Sequence, residues 1–190
     1  MLADIDAAEA GPARQLVPGP RAFAKVYADG TFRPAAALYG SEVRDTATGP
    51  TIGAYLVEPL DRPGDTTVLV NRGWVPTTGA VPAVAAASAH IEGYVRAPDA
   101  AGLFSARDNP AAHRFFTLDP AAIGPALGVA DPAAYTLVQL GTPRPGVYPQ
   151  PATALPRPPN DHLSYALTWF GLAVVALVIS FLQFRRMNHA

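Results

Sequence analysis

Three residues with chemistry-bearing rings open the longest apolar run in this chain: His162, Tyr165 and Trp169. On one continuous helix, residues three, four and seven apart share a side. The imidazole and the indole then stand about 10 Å apart along the axis, in one stripe. Ala166, Ala173 and Ala176 fall on the same side, and their small side chains allow close approach by a neighbouring helix or a flat ligand. The plainer reading is an interfacial belt, with the rings anchoring one end of the helix at headgroup level.

Other candidate chemistry is thinner. No G-x-S-x-G elbow is present, and Ser41, Ser88 and Ser105 lie in unremarkable contexts. His113 and Asp119 could pair as a base and its orienter, but a lone histidine between Pro110 and a strand reads as a solvated surface residue, and so does His90. The four histidines, at 90, 113, 162 and 189, have no H-x-H or H-x-x-x-H spacing, both methionines are terminal and there is no cysteine, so a copper or zinc centre is not expected. Asp61, Asp65 and Asp108 lie among prolines and glycines, as loop residues do. The stretch VLVNRGWVP stands apart. Asn71, Arg72 and Trp74 follow a buried-looking strand, where Gly73 would allow a bulge, Trp74 would cap the core and Arg72 would pair with a carboxylate; the same three residues could otherwise form a contact for a partner.

These residues must be carried by a small number of elements. With 190 residues the chain holds one domain and an anchor, and 21 prolines with 16 glycines argue for many turns. A net charge of -1 without a basic cluster excludes the electrostatic footprint of nucleic-acid binding. From Tyr165 to Phe184 no residue is charged, a length that spans a bilayer core of roughly 30 Å as a helix. Arg185 and Arg186 outnumber Arg157 at the other end, which places the C-terminus in the cytoplasm, or in the matrix of a mitochondrion, and the preceding domain outside. The acidic, proline-containing start of the chain is no signal peptide. A membrane segment missing ahead of the reading frame reconciles these two observations.

Strand-like runs fill the body: AFAKVYADGTF with a turn at Asp29-Gly30, AAALYG, TIGAYLVEPL ending near Pro59, TTVLVNRGWVP, HIEGYVRAP, RFFTLDP and AYTLVQLG. One short helix is expected in DPAAIGPALG, with Asp119 as its cap, Pro120 in its first turn and an end near Gly128. The expected fold is mainly β (α+β), an antiparallel sheet or partly closed barrel with one short helix, followed by a C-terminal transmembrane helix. The expected boundaries are an irregular segment 1–20, a β-rich domain 21–141, a proline-rich lead 142–162, the membrane helix 163–184 and a cytoplasmic tail 185–190.

The pieces AFAKVYADGTF, GAYLVEPL, VLVNRGWVP, EGYVRAP, FSARDNPAAHRFFTLDP and PNDHLSYALTWFGLA, in this order over residues 22–186, resemble the Surfeit locus protein 1 family, which assists assembly of haem-copper cytochrome oxidase. The resemblance implies an outward-facing β domain bracketed by two membrane helices. It implies haem a held with His162 as axial iron ligand, with Trp169 and Tyr165 beside it, and passage of that haem from haem a synthase to oxidase subunit I. It also implies a bacterial inner-membrane location with the β domain periplasmic. This chain departs from the family pattern by lacking the first helix and the W-Q-x-x-R-L-type stretch after it, by Asp161 where a second asparagine is usual, and by Phe115-Phe116 where a tryptophan-containing segment is usual. A scaffold that contacts oxidase subunits without holding cofactor is the alternative, and a membrane-tethered hydrolase would require turnover through His113 or a serine.

Overall fold

The structure, a computed structural model, describes residues 11–77, 81–100, 102, 106–156 and 162–187. Ser105, Arg157, Asp161 and His189 lie outside the described residues, as do the side chains of His162 and Arg186. The chain separates into two compact units, Met1–Leu155 and Pro156–Ala190.

Among its described residues the first unit has eight strands: β1 (Arg14–Gln15), β2 (Lys25–Phe32), β3 (Ala37–Thr46), β4 (Gly49–Asp61), β5 (Val68–Pro76), β6 (Ala87–Arg96), β7 (Arg114–Phe115) and β8 (Thr136–Gln139). Their order is β1-β2-β6-β8-β5-β4-β3-β7, and a further pairing of β2 with β4 at Thr31↔Asp61 and Phe32↔Leu60 closes β2, β6, β8, β5 and β4 into a ring. The result is a five-stranded barrel. It is mixed, because β8 runs parallel to β5 while the other barrel pairs are antiparallel. β1, β3 and β7 extend the sheet outside the ring.

Strand alternation sorts side chains into two cores. Val26, Ala28 and Phe32 of β2, Leu60 of β4, Val68 and Val70 of β5, Ile91 and Val95 of β6, and Leu137 of β8 pack together; drawn from all five ring strands, they fill the lumen. Residues of the opposite parity, Val57 and Leu69, join Ala37, Phe115 and Leu118 beneath a short helix, α1 (Pro120–Ala126). α1 starts as its sequence requires. The Asp119 carboxylate accepts from the Ala121 N–H at 3.0 Å, Pro120 occupies the first turn, and Gly128 just beyond the end has φ +75°.

Residues 141–155 run along the same unit. Gln150 exchanges two backbone bonds with Trp74 of β5, each 2.8 Å, and the Ala152 N–H donates to the Gln139 carbonyl at 3.0 Å. Leu155 is buried against Tyr94 and Val138. The second unit is a helix, α2 (His162–Met187), of which Tyr165–Arg185 is long and apolar enough to cross a membrane. Its described large side chains are exposed, as those of an unpartnered membrane span would be in the absence of lipid.

Several local expectations are corrected. Asp29-Gly30 is no turn, since β2 runs straight through both residues, paired with His90 and Ala89 of β6. Gly30 has another purpose: a Cβ there would land on the Asp61 carbonyl, so the bare backbone is what lets β4 approach β2 at the barrel seam. β3 continues to Thr46, well past the apolar AAALYG, because β4 supplies a ladder for the polar residues 42–46. RFFTLDP contributes only two strand residues, and a two-residue strand, β1, lies in the segment expected to be irregular. Replacing Gly30 by alanine is expected to destabilise the domain by about 1–3 kcal/mol through overpacking at the seam. Urea unfolding of Gly30→Ala checks this, and an unchanged midpoint would show that the β2–β4 contact is not tight.

Candidate functional site

β5 carries the most concentrated polar arrangement in the first unit. Leu56 of β4 pairs with Gly73 and Val57 with Asn71, which leaves Arg72 as the extra residue of a β-bulge. Gly73 takes φ +124°, open to glycine, and the Asn71 side-chain oxygen accepts from its N–H at 3.0 Å. Strand parity places Arg72 on the same side as Val68 and Val70, at the edge of the lumen. There the Arg72 Nη1 meets Glu58 Oε2 at 3.2 Å, its Nε donates to Gln139 Oε1 at 2.7 Å, and the guanidinium carbon lies 4.2 Å from the centre of the Phe32 ring. The Glu58 side chain is only 5% exposed and that of Arg72 23%. Burial pushes the Glu58 carboxyl above its ordinary 4.5, and the Arg72 charge and hydrogen bond pull the other way.

The extra residue reverses the alternation, so Trp74 faces the side away from the lumen, where it is 0% exposed. Its ring lies on Gly53 of β4, where a Cβ would collide with it, and its Nε1 donates to the Glu42 carbonyl at 3.2 Å. The Arg44 guanidinium carbon stands 5.5 Å from the Trp74 ring centre, and the Tyr148 ring packs at 5.7 Å. Arg44 Nε pairs with Glu42 Oε1 at 2.8 Å, and the Tyr55 hydroxyl donates to the other Glu42 oxygen. Arg44 first, with Tyr55 adding to it, holds the Glu42 carboxyl below its ordinary 4.5 against the opposing effect of burial. Next to this cluster an open groove of about 480 Å³ separates the β3–β4 turn from residues 143–150; Thr46, Thr48, Arg144, Tyr148 and Gln150 are among its walls.

The structure brings Asn71, Arg72 and Trp74 into one strand segment but turns them in different directions. Asn71 and Trp74 are buried and Arg72 is largely so, and the three are engaged with the domain itself in the bulge, core-capping and carboxylate-pairing roles read from the motif. Sequence reasoning missed their partners, Glu42, Arg44, Tyr55, Glu58, Gln139 and Tyr148. The signal that pointed to them was Arg72 itself, since a guanidinium next to a buried strand requires a counter-charge. His113 ends a 3-10 turn with φ +50°, its ring makes no hydrogen bond among the described residues, and Asp119 caps α1 instead of orienting it. His90 is an exposed partner of Asp29 at 2.7 Å. Among the described residues no three His, Asp or Glu side chains gather as metal ligands.

In the second unit α2 is helical without interruption from His162, so positions 162, 165 and 169 follow the helical repeat on one side. The Tyr165 and Trp169 side chains are exposed, Trp169 by 69%. Ala166 lies one turn below His162 on the same side.

Two expectations come from this geometry. Arg72→Ala leaves the Glu58 charge buried without its partner and is expected to lower stability by about 3–5 kcal/mol, while the double variant Arg72→Met with Glu58→Leu recovers most of it. Denaturant unfolding of the three proteins checks this. The two glutamates also respond oppositely to pH. Folded Glu42 binds fewer protons than unfolded, so its contribution is present above 4.5 and lost on acidification through its lowered folded value; folded Glu58 binds more, so stability is lost as pH rises above 4.5 toward its raised value. Thermal unfolding against pH should therefore show Glu42→Gln flattening the acid limb and Glu58→Gln removing a loss on the alkaline side.

The profile of the SURF1 family matches residues 2–174, which include the whole barrel, the β5 bulge and the first half of α2. A comparison with curated proteins returns no significant match. With the match extending over most of its length, the chain belongs to the SURF1 family of cytochrome oxidase assembly factors.

Proposed function

We propose that this protein is a membrane-bound assembly factor that binds haem a through His162 and holds it for insertion into subunit I of a haem-copper oxidase. The observation that carries this reading is an uninterrupted apolar helix that begins with His162 and presents Tyr165 and Trp169 on the same side, within the segment matched by the family. A neutral imidazole is a suitable axial ligand for haem iron. The small Ala166 leaves a flat face between the rings, against which a macrocycle can lie, and the exposed Trp169 indole borders that face. The donor set and the bare apolar face therefore fit the group. Bound haem a would supply the iron and the chromophore; His162 would ligate it, Tyr165 and Trp169 would orient it, and the apolar surroundings would exclude water. No covalent bond is made or broken in this role, and none of the arrangement requires enzymatic turnover.

In this reading α2 anchors the protein in the bacterial inner membrane with the barrel on the periplasmic side, where haem a synthase hands over its product. Arg185 and Arg186 at the far end of the span support that orientation. The barrel, with its buried Arg72–Glu58 pair, serves as the rigid body that meets oxidase subunits.

The test is spectroscopic. Protein purified from cells making haem a should carry the haem a chromophore, and His162→Ala should lose it while the protein still inserts in the membrane. An alanine variant with an unchanged spectrum and haem content would remove His162 as the ligand. A non-binding scaffold would instead show no chromophore in either protein and normal oxidase assembly with His162→Ala.

A further inference from the structure

The outer edge of β3 beyond Gly40 carries no strand among the described residues. β7 pairs with β3 only at Leu38 and Tyr39, and Arg114 ends that pairing by donating from Nη2 to the Gly40 carbonyl at 2.6 Å. On its inner side β3 continues in register with β4 through Val43↔Ile52 and Asp45↔Pro50. A bond on the far side of β4 fixes which way the β3 backbone points. The Ile52 carbonyl accepts from the Thr77 N–H at 3.2 Å, so Ile52 turns its backbone groups away from β3. In an antiparallel ladder, opposite residues either exchange both bonds or neither. Val43 therefore directs its N–H and C=O outward, and Asp45, two residues on, does the same. Pro50 agrees, because a residue without an N–H is tolerated opposite Asp45 only where no ladder bond is donated.

The side chains on this edge are equally unclaimed. Val43 is 61% exposed and Ile52, opposite it, 62%. The exposed Asp45 carboxylate has no ion pair or hydrogen bond among the described residues. Glu42 and Arg44, on the other face, neutralise each other. The edge thus offers outward backbone donors and acceptors flanked by an apolar pair and then a lone negative charge. An unneutralised charge on an open edge opposes indiscriminate pairing and selects a partner strand of the other sign.

We propose that the β3 edge at Val43 and Asp45 accepts an extended segment of a partner protein as an added strand, and that this segment places an apolar side chain against Val43–Ile52 and a basic one beside Asp45. The inference goes beyond cofactor carriage and stands whether or not His162 ligates haem. Two outward residues make a short ladder, so the contact is of the weak, transient class that an assembly factor needs in order to release its client.

Amide exchange of the full chain in lipid nanodiscs tests it, with two synthetic peptides as probes: a short valine–threonine alternation containing one lysine, and the same peptide with glutamate in place of the lysine. The lysine peptide at saturation should slow exchange of the Val43 and Asp45 amides by about tenfold, and the glutamate peptide should not. Asp45→Lys should reverse that preference, and Val43→Pro, which removes only an outward donor, should abolish the protection without changing the unfolding temperature. Equal effects of the two peptides, a preference that Asp45→Lys leaves intact, or protection of the same amides by self-association without peptide would overturn the proposal.

Discussion

A guanidinium at the edge of an apolar lumen must be given a counter-charge and hydrogen-bond acceptors, or the strand that carries it does not stay in the barrel. In this protein the bulge at Arg72–Gly73 meets both needs at once. The extra residue turns Arg72 toward Glu58, Gln139 and the Phe32 face. The glycine that follows leaves a bare backbone on the other side, where a Cβ would strike Gln150, and there residues 148–152 lie down against β5. Three strands, β2, β4 and β8, meet β5 at this irregularity. Trp74, the next residue, then closes the outer face over Gly53.

The barrel and the apolar helix obey different physical rules, and the division of labour follows from that difference. In the barrel unit Arg72 with Glu58, Arg62 with Asp65 and Arg96 with Asp99 neutralise charges at the edge of the core. In α2 the large side chains are exposed and apolar, a surface stable only in lipid or against another apolar body. His90 pairs with Asp29 and His113 sits at a turn, so neither of these two histidines is held in a site.

The sequence made some of this legible and hid the rest for identifiable reasons. Local pattern exposed the strand at TTVLVNRGWVP, the α1 cap at Asp119 and the length of α2, because each depends on neighbours in sequence. The Asp29-Gly30 pair misled, since its glycine answers to Asp61, about thirty residues away across the seam, and not to a local turn. Residues 42–46 carry too little apolar character to read as strand, yet β4 extends them into one. The need of Arg72 for a carboxylate was legible; that Glu58 and Gln139 would meet it was not, because the bulge shifts the β4–β5 register and Gln139 arrives on a strand 67 residues away.

Amide exchange at Gln150 and Trp74 in a Gly73→Ala variant tests the central claim most directly, since these two residues hold residues 148–152 to the bulge. The expected result is slow exchange of both amides in the native protein and fast exchange in the variant, with the β2 and β6 amides still protected. Slow exchange of Gln150 in the alanine variant would contradict the account, because the bulge glycine would then not be what admits that segment to β5.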